Sequence, residues 1–316
     1  CYKLRRVDFQ QNSELKIINE NAFAYSSIDT IKIPQHVTQI MESAFHGCNY
    51  LQKIEINPDS ELRKICKNAF NNSKIESLSF PKSLVELEEG WCSETSKLIN
   101  IDIDINNPRY SIYENEIIIG KTSIEDNHYE NLIFCSRDIK TIKIPNFIKN
   151  ISSYAFSRCS YLHNIEITEE SKLENIGKYG FYYSNIKEIN IPNSISYIGE
   201  YAFSHCQQLQ QINITNESLL DTLEKSTFSY SSIKYFSIPP HLKEIGESVF
   251  YSCDKLQKVE IPQNSELKII NKDAFSFSSI EYFSIPQHLT EICQSAFQNC
   301  QKLRTIEIAS KSELKK

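Results

Sequence analysis

A phrase of 13 residues returns at a fixed interval along this chain. It reads AFSHCQQLQQINI at 202–214, VFYSCDKLQKVEI at 249–261 and AFQNCQKLRTIEI at 296–308, so each copy starts 47 residues after the last. A related phrase with Ser in place of Cys lies between the copies, as in TFSYSSIKYFSIP at 227–239. A fixed period indicates a repeat architecture, in which each repeat buries its core against its neighbours. We therefore expect one solenoid over residues 1–316, and not the two or so globular domains that this length suggests.

Two series of apolar residues divide each repeat in the same way. The I-x-I centres follow one another at 23 or 24 residues, as at Ile165, Ile189 and Ile212, and predict a half-buried strand in each turn. A second apolar pair, such as Leu173/Ile176, lies five residues before each Phe and predicts a second short extended segment. The Phe residues predict a buried spine, in which Trp91 takes the place of Phe once. The expected fold is a β-rich coil of ~23-residue turns with parallel strands and little helix.

The cysteines occupy a repeat position of their own. Six of the ten fall at one position that alternates with Ser in the intervening turns: Cys1, Cys48, Cys159, Cys206, Cys253 and Cys300. We interpret this series as a buried column of small side chains. Successive cysteines in it would lie about 10 Å apart, beyond the ~7 Å between Cα atoms that a disulfide allows. The sequence therefore predicts packed thiols, although Cys92 and Cys135 fit no repeat position.

Composition excludes several classes of function. The formal net charge is −6 and basic residues form no stripe, so nucleic acid is not the expected partner. No run approaches the 18 apolar residues of a membrane span. Phosphate-binding, metalloprotease and serine-hydrolase motifs are absent, and we expect no catalysis, no cofactor and no metal site. The histidines at one shared turn position are interpreted as exposed residues: His36, His241 and His288.

The repeat is interrupted once, over residues 104–138. The I-x-I centres Ile101 and Ile142 lie 41 residues apart and no Ala-Phe pair stands between them. Two apolar runs, Ile117–Ile119 and Leu132–Phe134, flank a polar segment and predict a hairpin-like excursion with an abbreviated turn. Insertions in solenoids often carry binding surfaces, and the alternative is an irregular turn that only continues the coil.

The full pattern resembles a known repeat class. The form L-x-x-I-x-I-P-x-x-V-x-x-I-x-x-x-A-F-x-x-C is clearest in IKTIKIPNFIKNISSYAFSRCSYLHNIEI at 139–167 and IKEINIPNSISYIGEYAFSHCQQLQQINI at 186–214. It resembles the BspA-like leucine-rich repeats. The resemblance implies a curved, right-handed solenoid with parallel strands on its concave face and no catalysis. It also implies a cell-surface or extracellular protein that binds host cells, matrix proteins or other microbes. The family has no shared ligand-binding motif to carry over.

Candidate binding residues come from the outward positions of the strands. These are mostly Thr, Lys, Glu, Asn, Ser and Gln, which suit a protein-binding face. Tyr235 and Tyr282 are the aromatic exceptions, two turns apart, with Lys258 between them. Aromatic side chains often anchor protein interfaces, and this pair could hold one partner side chain between its rings. The alternative is that the tyrosines are isolated surface residues.

The irregular stretch supplies a rival group of aromatic residues. Tyr110, Tyr113, Tyr129 and Phe134 could form a second binding surface or a local core beneath the excursion. Four Asn-x-Ser/Thr sequons are candidate glycosylation sites, at Asn71, Asn150, Asn213 and Asn216. A glycan on Asn213 would stand on the strand face itself.

Three functions remain open from the sequence. The leading hypothesis is a non-catalytic adhesion or recognition module that binds a protein of a host or neighbouring cell. The alternatives are an intracellular protein-interaction scaffold, favoured by the many unpaired thiols, and a structural spacer. Residues 1–9 match the repeat and the chain stops within a turn, so we expect it to be part of a longer protein whose targeting or anchoring segments lie outside it.

Overall fold

The computed structural model describes residues 2–10 and 12–315, and these residues form strands and turns without any helix. No segment among them forms an apolar helix of membrane-spanning length. The chain divides into two compact units: unit 1 is Cys1–Ile139 with Ser157–Ser160, and unit 2 is Lys140–Phe156 with Tyr161–Lys316. Cys1, predicted to begin the Ser/Cys column, lies outside the described residues.

Each regular turn of unit 1 contributes one strand to each of two parallel sheets. The outward-facing sheet, called here the strand face, contains β2 (Thr30–Lys32), β4 (Lys53–Glu55), β6 (Ser77–Phe80) and β8 (Asn100–Ile103). The second sheet contains two-residue strands, β1 (Ile17–Ile18), β3 (Gln39–Ile40), β5 (Lys64–Ile65) and β7 (Glu86–Leu87). Neighbouring strands pair in register, so Ile31 lies beside Ile54 and Ile40 beside Ile65. The two predicted extended segments of each turn are thereby confirmed.

The interruption of the repeat forms an antiparallel meander in unit 1. Its strands are β9 (Tyr110–Tyr113), β10 (Ile117–Gly120) and β11 (Asn131–Cys135). Strand β10 pairs with β9 on one side and with β11 on the other, both antiparallel. The register with β11 shifts between Ile118 and Ile119. A short connection over 114–116 and a longer one over 121–130 therefore replace the coil of a regular turn.

Unit 2 repeats the arrangement of unit 1. Its strand face contains β12 (Thr141–Lys143), β14 (Asn164–Glu166), β16 (Glu188–Ile191), β18 (Gln211–Ile214), β20 (Tyr235–Ser237), β22 (Lys258–Glu260), β24 (Tyr282–Ile285) and β26 (Thr305–Ile308). The two-residue strands are β13 (Asn150–Ile151), β15 (Asn175–Ile176), β17 (Tyr197–Ile198), β19 (Thr222–Leu223), β21 (Glu244–Ile245), β23 (Ile269–Ile270) and β25 (Glu291–Ile292). All the pairings described within unit 2 are parallel.

Burial alternates along the strands as the sequence predicts. In β4 the side chains of Lys53 and Glu55 are exposed and Ile54 between them is buried, and most other three-residue strands repeat this pattern. Successive side chains of a strand point to opposite faces, so one face lines the core and the other is polar. The aliphatic side chains therefore form columns from turn to turn, since like residues lie in register.

The predicted aromatic spine is present in both units. In unit 2 the rings of Phe156 and Phe181 stack with centroids 4.8 Å apart, and those of Phe181 and Phe203 lie 5.1 Å apart. In unit 1 the Phe45 and Phe70 rings are 5.7 Å apart. All five rings are fully buried. Stacked aromatic pairs contribute about 0.5–1.5 kcal/mol beyond the burial of their area, so the spine couples each turn to the next.

The Ser/Cys column is buried over most of its length, as predicted, with Cys300 half-buried, and neighbouring Ser and Cys members contact one another. The Sγ of Cys48 lies 3.4 Å from the Oγ of Ser26, and the Sγ of Cys206 lies 3.4 Å from the Oγ of Ser184. The Cys206 thiol also donates to the carbonyl of Phe181, at 3.0 Å. Every cysteine among the described residues carries a free thiol. The small polar side chains of the column thus form hydrogen bonds with one another and with backbone carbonyls inside an apolar core.

Trp91 does not occupy the backbone position of a Phe. The amide of Phe45 donates to the carbonyl of Ala69, and the amide of Phe70 donates to the carbonyl of Trp91 in the same way. Trp91 therefore stands where other turns have Ala, and Cys92 stands at the Phe position. The indole still reaches the spine, with its centroid 6.4 Å from that of Phe70. The prediction that Trp91 contributes a ring to the spine is confirmed, but the repeat position predicted for Trp91 was wrong by one residue.

Candidate functional site

Three candidate residues of the strand face form a row in unit 2. Strand pairing places Tyr235 beside Lys258 and Lys258 beside Tyr282, on β20, β22 and β24. Tyr235 is 57% exposed, Lys258 is exposed, and Tyr282 is half-buried. The two tyrosines are thus two strand steps apart, about 9.6 Å at ~4.8 Å per step, with the ammonium between them.

Each side chain of this row contacts a polar neighbour. The Tyr235 hydroxyl donates to Oε1 of Gln257 at 3.0 Å, and the Tyr282 hydroxyl donates to Oε2 of Glu307 at 2.5 Å. Lys258 pairs with Glu260 at 2.6 Å. The hydrogen bond to Glu260 raises the pKa of Lys258, and the hydrogen bond to Glu307 raises the pKa of Tyr282. The row therefore presents two tyrosine rings and a lysine on a surface that also bears carboxylates.

The aromatic residues of the meander are divided between core and surface. Tyr110 is only 4% exposed, its ring lies 5.8 Å from that of Phe80, and burial raises its pKa to about 12. Phe134 is also buried. Tyr113 and Tyr129 are half-buried, and the ammonium of Lys121 lies 5.3 Å from the Tyr129 ring centroid. Tyr110 belongs to a local core, so we leave it out of any binding surface.

A buried arginine supports the meander from within unit 1. Arg137 is 1% exposed, and its guanidinium lies 4.3 Å from the ring centroid of Phe134. It donates to the carbonyls of Thr95 and Cys135, each at 3.2 Å, and to the Sγ of Cys159 at 3.4 Å. The guanidinium thereby satisfies carbonyl groups that the irregular chain path leaves inside the core.

A different surface emerges at the corner that holds each Phe. The residues two before and two after the Phe have positive φ in turn after turn, for example Tyr179 (57°) and Tyr183 (56°) around Phe181. This left-handed conformation favours Gly and Asn and is unusual for a bulky side chain. In unit 2 many of these positions nevertheless carry aromatic rings: Tyr154, Tyr179, Tyr183, Tyr201, His205, Tyr230 and Phe277.

Six of these rings form two ladders on the corner of unit 2. Tyr154, Tyr179 and Tyr201 stack with successive centroids 4.8 Å apart. In the second ladder the ring of His205 lies 4.3 Å from that of Tyr183 and 4.5 Å from that of Tyr230. The planes of adjacent rings in both ladders are within 16° of parallel.

A cavity of about 420 Å³ lies along the two ladders. We call it the tyrosine trench and define its walls by six aromatic residues: Tyr179, Tyr182, Tyr201, His205, Tyr230 and Tyr251. Tyr182 joins the ladders, with its ring edge-on to Tyr179 at 5.1 Å and to His205 at 5.6 Å. Serine side chains also line the trench, and Ser204 and Ser229 share a hydrogen bond of 2.9 Å.

Sequence reasoning missed the tyrosine trench. The aromatic candidates predicted from the sequence lie at strand positions and in the irregular stretch, whereas the trench residues lie at fixed offsets from the Phe. The signal was present, because Tyr154, Tyr179 and Tyr201 all stand two residues before a Phe. Asn, Ser and Gly at the same offsets in other turns could have identified these positions as left-handed.

The predicted glycosylation sites lie at the surface to different degrees. Asn213 and Asn216 are exposed, and Asn71 and Asn150 are half-buried. The Asn213 amide donates to Oδ1 of Asn190 at 2.7 Å on the strand face. Within the described residues, no group of three or more His, Cys, Asp or Glu side chains is arranged to hold a metal ion. Glycosylation at the four sequons stays a prediction.

Comparison with known families identifies the repeat. The profile of the BspA type leucine rich repeat region matches in six copies, over residues 16–131, 122–239 and 221–315. The chain belongs to the BspA type leucine-rich repeat family. Leucine-rich repeats of this type are protein-interaction modules and are typically non-catalytic. No curated protein matches this BspA type chain.

Solved structures share the fold at low sequence identity. A leucine-rich repeat protein from Eubacterium ventriosum is 22% identical with a TM-score of 0.71, covering 91% of this chain and 81% of its own. The pneumococcal vaccine antigen PcpA is 20% identical with a TM-score of 0.63. A leucine rich cell surface protein from Faecalibacterium prausnitzii is 21% identical with a TM-score of 0.59. Each of the last two comparisons covers 98% of this BspA type chain and 74% of the other.

Proposed function

We propose that this chain is a non-catalytic recognition module of the cell surface, which binds a protein of a host or neighbouring cell. We place the contact on the strand face of unit 2, at the row of Tyr235, Lys258 and Tyr282. One observation carries the proposal: strand register sets two tyrosines on either side of a lysine on three adjacent strands.

The chemistry of the row suits a protein ligand. Tyrosine offers a large ring and a hydroxyl group, and it is enriched among the residues that dominate binding energy. The strands that carry the two tyrosines are about 9.6 Å apart, which leaves room for one side chain of a partner over Lys258. Glu260 and Glu307, which hold Lys258 and Tyr282, add negative charge around the row. A partner with a basic or amide-bearing side chain would complement them.

The cell-surface location is inferred from the family and its structural neighbours. The protein from F. prausnitzii is described as a cell surface protein, and PcpA is a vaccine antigen. Repeats of this family are protein-interaction modules, which supports a recognition role for this chain at the cell surface.

Binding to intact cells tests the proposal. We expect the purified chain to bind cultured epithelial cells, and brief trypsin treatment of the cells to remove most of the binding, since the receptor is a protein. The double variant Tyr235→Ala/Tyr282→Ala should bind at least about tenfold more weakly, because interface tyrosines often contribute 2 kcal/mol or more. Wild-type binding by this variant would exclude the row as the contact.

A matched control removes two tyrosines elsewhere. Tyr50 is 64% exposed and Tyr161 is 61% exposed, and neither lies in the row. The variant Tyr50→Ala/Tyr161→Ala should therefore bind cells like the wild type. Circular dichroism of both double variants should match the wild type, which separates a lost contact from a lost fold.

The meander offers a second candidate surface. Its tyrosines, Tyr113 and Tyr129, are half-buried, and the same stretch exposes Ile112, at 37%, and Ile124, at 47%. If this surface binds the receptor, Tyr113→Ala/Tyr129→Ala will weaken cell binding while the strand-face variant does not. The two double variants therefore assign the contact to one surface or the other.

The free thiols favour a second candidate function. A reducing compartment preserves unpaired cysteines, so an intracellular scaffold is the main alternative, with a structural spacer as the third. Antibody labelling of intact source cells distinguishes them. A cell-surface module is labelled without permeabilisation, and an intracellular scaffold is labelled only after it. A spacer would be labelled on intact cells but would bind no receptor.

A further inference from the structure

The residues of the tyrosine trench are not required by the fold. Tyr201 has φ of 57° and Tyr230 has φ of 59°, in a region that costs an ordinary side chain roughly 1–2 kcal/mol. At equivalent corners of unit 1 the left-handed positions carry Asn68 and Asn72, which adopt this conformation more readily. The same corner therefore folds without tyrosine, and at a lower conformational cost.

Stacking offsets this cost without exceeding it. An aromatic pair contributes about 0.5–1.5 kcal/mol beyond area burial, which is similar to the penalty of one left-handed residue. Stability alone then gives no reason to prefer a ladder of Tyr and His over Asn. Strained residues that persist in this way are concentrated at binding sites.

The trench presents ring edges and hydroxyl groups instead of a deep apolar floor. The faces of the rings are occupied by their neighbours in the ladders. Tyrosine side chains, whose hydroxyls can donate hydrogen bonds, line the cavity together with the Lys225–Glu247 ion pair of 2.9 Å, while the buried Ser204 and Ser229 hydroxyls bond within the protein. An extended ligand with apolar rings would pack on the ring edges, and regularly spaced carbonyl groups would accept hydrogen bonds from the hydroxyls.

The spacing of the rungs selects among extended peptides. Three rungs span about 9.6 Å in the Tyr154–Tyr179–Tyr201 ladder and about 8.8 Å in the Tyr183–His205–Tyr230 ladder, where Tyr154 and Tyr183 continue the ladders beyond the residues that line the trench. A polyproline II helix repeats every three residues at about 3.1 Å each, or roughly 9.3 Å. Two turns of an α-helix span about 10.8 Å, and side chains on one face of a strand recur every ~6.7 Å, so both lose register with the rungs.

We propose that the tyrosine trench binds a proline-rich segment of a partner protein in the polyproline II conformation. Aromatic-lined grooves accept this conformation because it is preformed and its backbone carbonyls stay available for hydrogen bonds. Prolines three residues apart would lie against every second rung. The site is separate from the strand-face row, so either can be present without the other.

Fluorescence anisotropy with a fluorescein-labelled proline decamer tests this assignment. We expect saturable binding of the decamer and no binding of a Gly-Ser decamer of equal length. The variant Tyr201→Asn/Tyr230→Asn should weaken binding at least about tenfold, because it removes one rung from each ladder. Asparagine tolerates positive φ, so this variant keeps the corner conformation.

Controls make each outcome decisive. The strand-face variant Tyr235→Ala/Tyr282→Ala should bind the decamer like the wild type, and thermal unfolding should show that both variants are folded. Absence of decamer binding, or equal binding by the trench variant, would overturn the proposal. Binding of chitohexaose in place of the decamer would also overturn it and indicate a glycan site. Cell binding by the decamer-negative variant tests the strand face independently.

Discussion

The corners of unit 1 and unit 2 have the same backbone and different side chains. Both bury a Phe between two residues of positive φ, as at Asn68 and Asn72 in unit 1 and Tyr179 and Tyr183 in unit 2. Unit 1 fills most of these positions with Asn, Ser or Gly, whereas unit 2 fills many of them with stacked aromatic rings. The buried columns therefore determine the fold, and the exposed corner is free to acquire a binding surface.

The exceptions support this interpretation. Tyr25 is an aromatic corner residue of unit 1, and its hydroxyl lies 2.7 Å from Nε2 of His46 while its ring meets that imidazole edge-on. It is 59% exposed and forms no ladder. In unit 2 the series is broken by Ser226 and Ser248, which line the trench. A continuous ladder thus needs aromatic residues in consecutive turns, and the tyrosine trench lies along turns of this kind.

The largest expected effect concerns the cysteine columns, which should be equivalent in the two units. Burial raises the pKa of Cys48 in unit 1, and raises that of Cys206 and Cys253 in unit 2 to about 12. At pH 8 only about 1 in 10⁴ of a thiol with such a pKa is ionised, and the thiolate is the nucleophile. Iodoacetamide should leave all three unmodified in the native protein and alkylate them in urea, as read by peptide mass spectrometry.

The half-buried Cys293 is the internal control for this prediction. It lies outside the column and should be alkylated before the buried Cys48, Cys206 and Cys253 in the native protein. Rapid native alkylation of Cys48, with Cys206 still protected, would mean that the core of unit 1 opens more readily. The two units would then differ in their cores as well as at their corners.

Removal of a spine ring should be similarly costly in either unit. Phe70 and Phe203 are fully buried, and each stacks on a Phe of an adjacent turn. We expect Phe70→Ala and Phe203→Ala each to lower the free energy of unfolding by about 3–5 kcal/mol. Urea unfolding followed by circular dichroism measures both, with Phe→Leu at the same positions as the milder control. A large loss at one position and a small loss at the other would contradict equivalent spines.

Repeated features of this fold could be predicted because many turns express the same pattern. The I-x-I strands, the short second strands, the Phe spine and the Ser/Cys column each recur at a fixed phase, so chance matches are excluded. Single events could not be predicted in this way. The one-residue shift that puts Cys92 at a Phe position occurs once, and a shift in register leaves no periodic signal.

The candidate site was predicted less completely, for two physical reasons. In β9 the aromatic Tyr110 is buried and Ile112 is 37% exposed, so residue type alone left both a binding surface and a local core open for Tyr110. The tyrosine trench depends on left-handed backbone that brings Tyr201 and His205 to the surface on either side of a buried Phe. A tyrosine in the sequence does not reveal the sign of its backbone φ angle. It could be inferred only from the Asn and Gly residues that replace it in other turns.

Exchange of corner residues should have a moderate and asymmetric effect. Asn72 has φ of 53° and is exposed, so Asn72→Tyr should cost about 1–2 kcal/mol because no neighbouring ladder stacks on the new ring. Tyr201→Asn removes strain together with a stacking contact, so its effect should stay within about 1 kcal/mol. Urea unfolding of the two variants measures the difference. Equal costs would show that the ladders are a requirement of stability and not of binding.

The smallest expected effect lies on the surface, where both units repeat a His–Glu contact between turns. His36 Nδ1 lies 2.9 Å from Oε1 of Glu61 in unit 1, and His241 is placed in the same way against Glu266 in unit 2. The hydrogen bond from His36 lowers the pKa of Glu61 below its usual 4.5. Because the folded pKa is the lower one, the stabilisation is complete above about pH 4.5 and is lost as the pH falls through the folded value.

We expect His36→Gln to raise the pKa of Glu61 in an NMR titration, and His46→Gln, which does not contact Glu61, to leave it unchanged. High salt should reduce the difference, since both partners are partly exposed and exposed charges are screened. If the pKa of Glu61 is the same in His36→Gln and in the wild type, this surface contact contributes nothing. The turns within each unit would then be coupled by their buried columns alone.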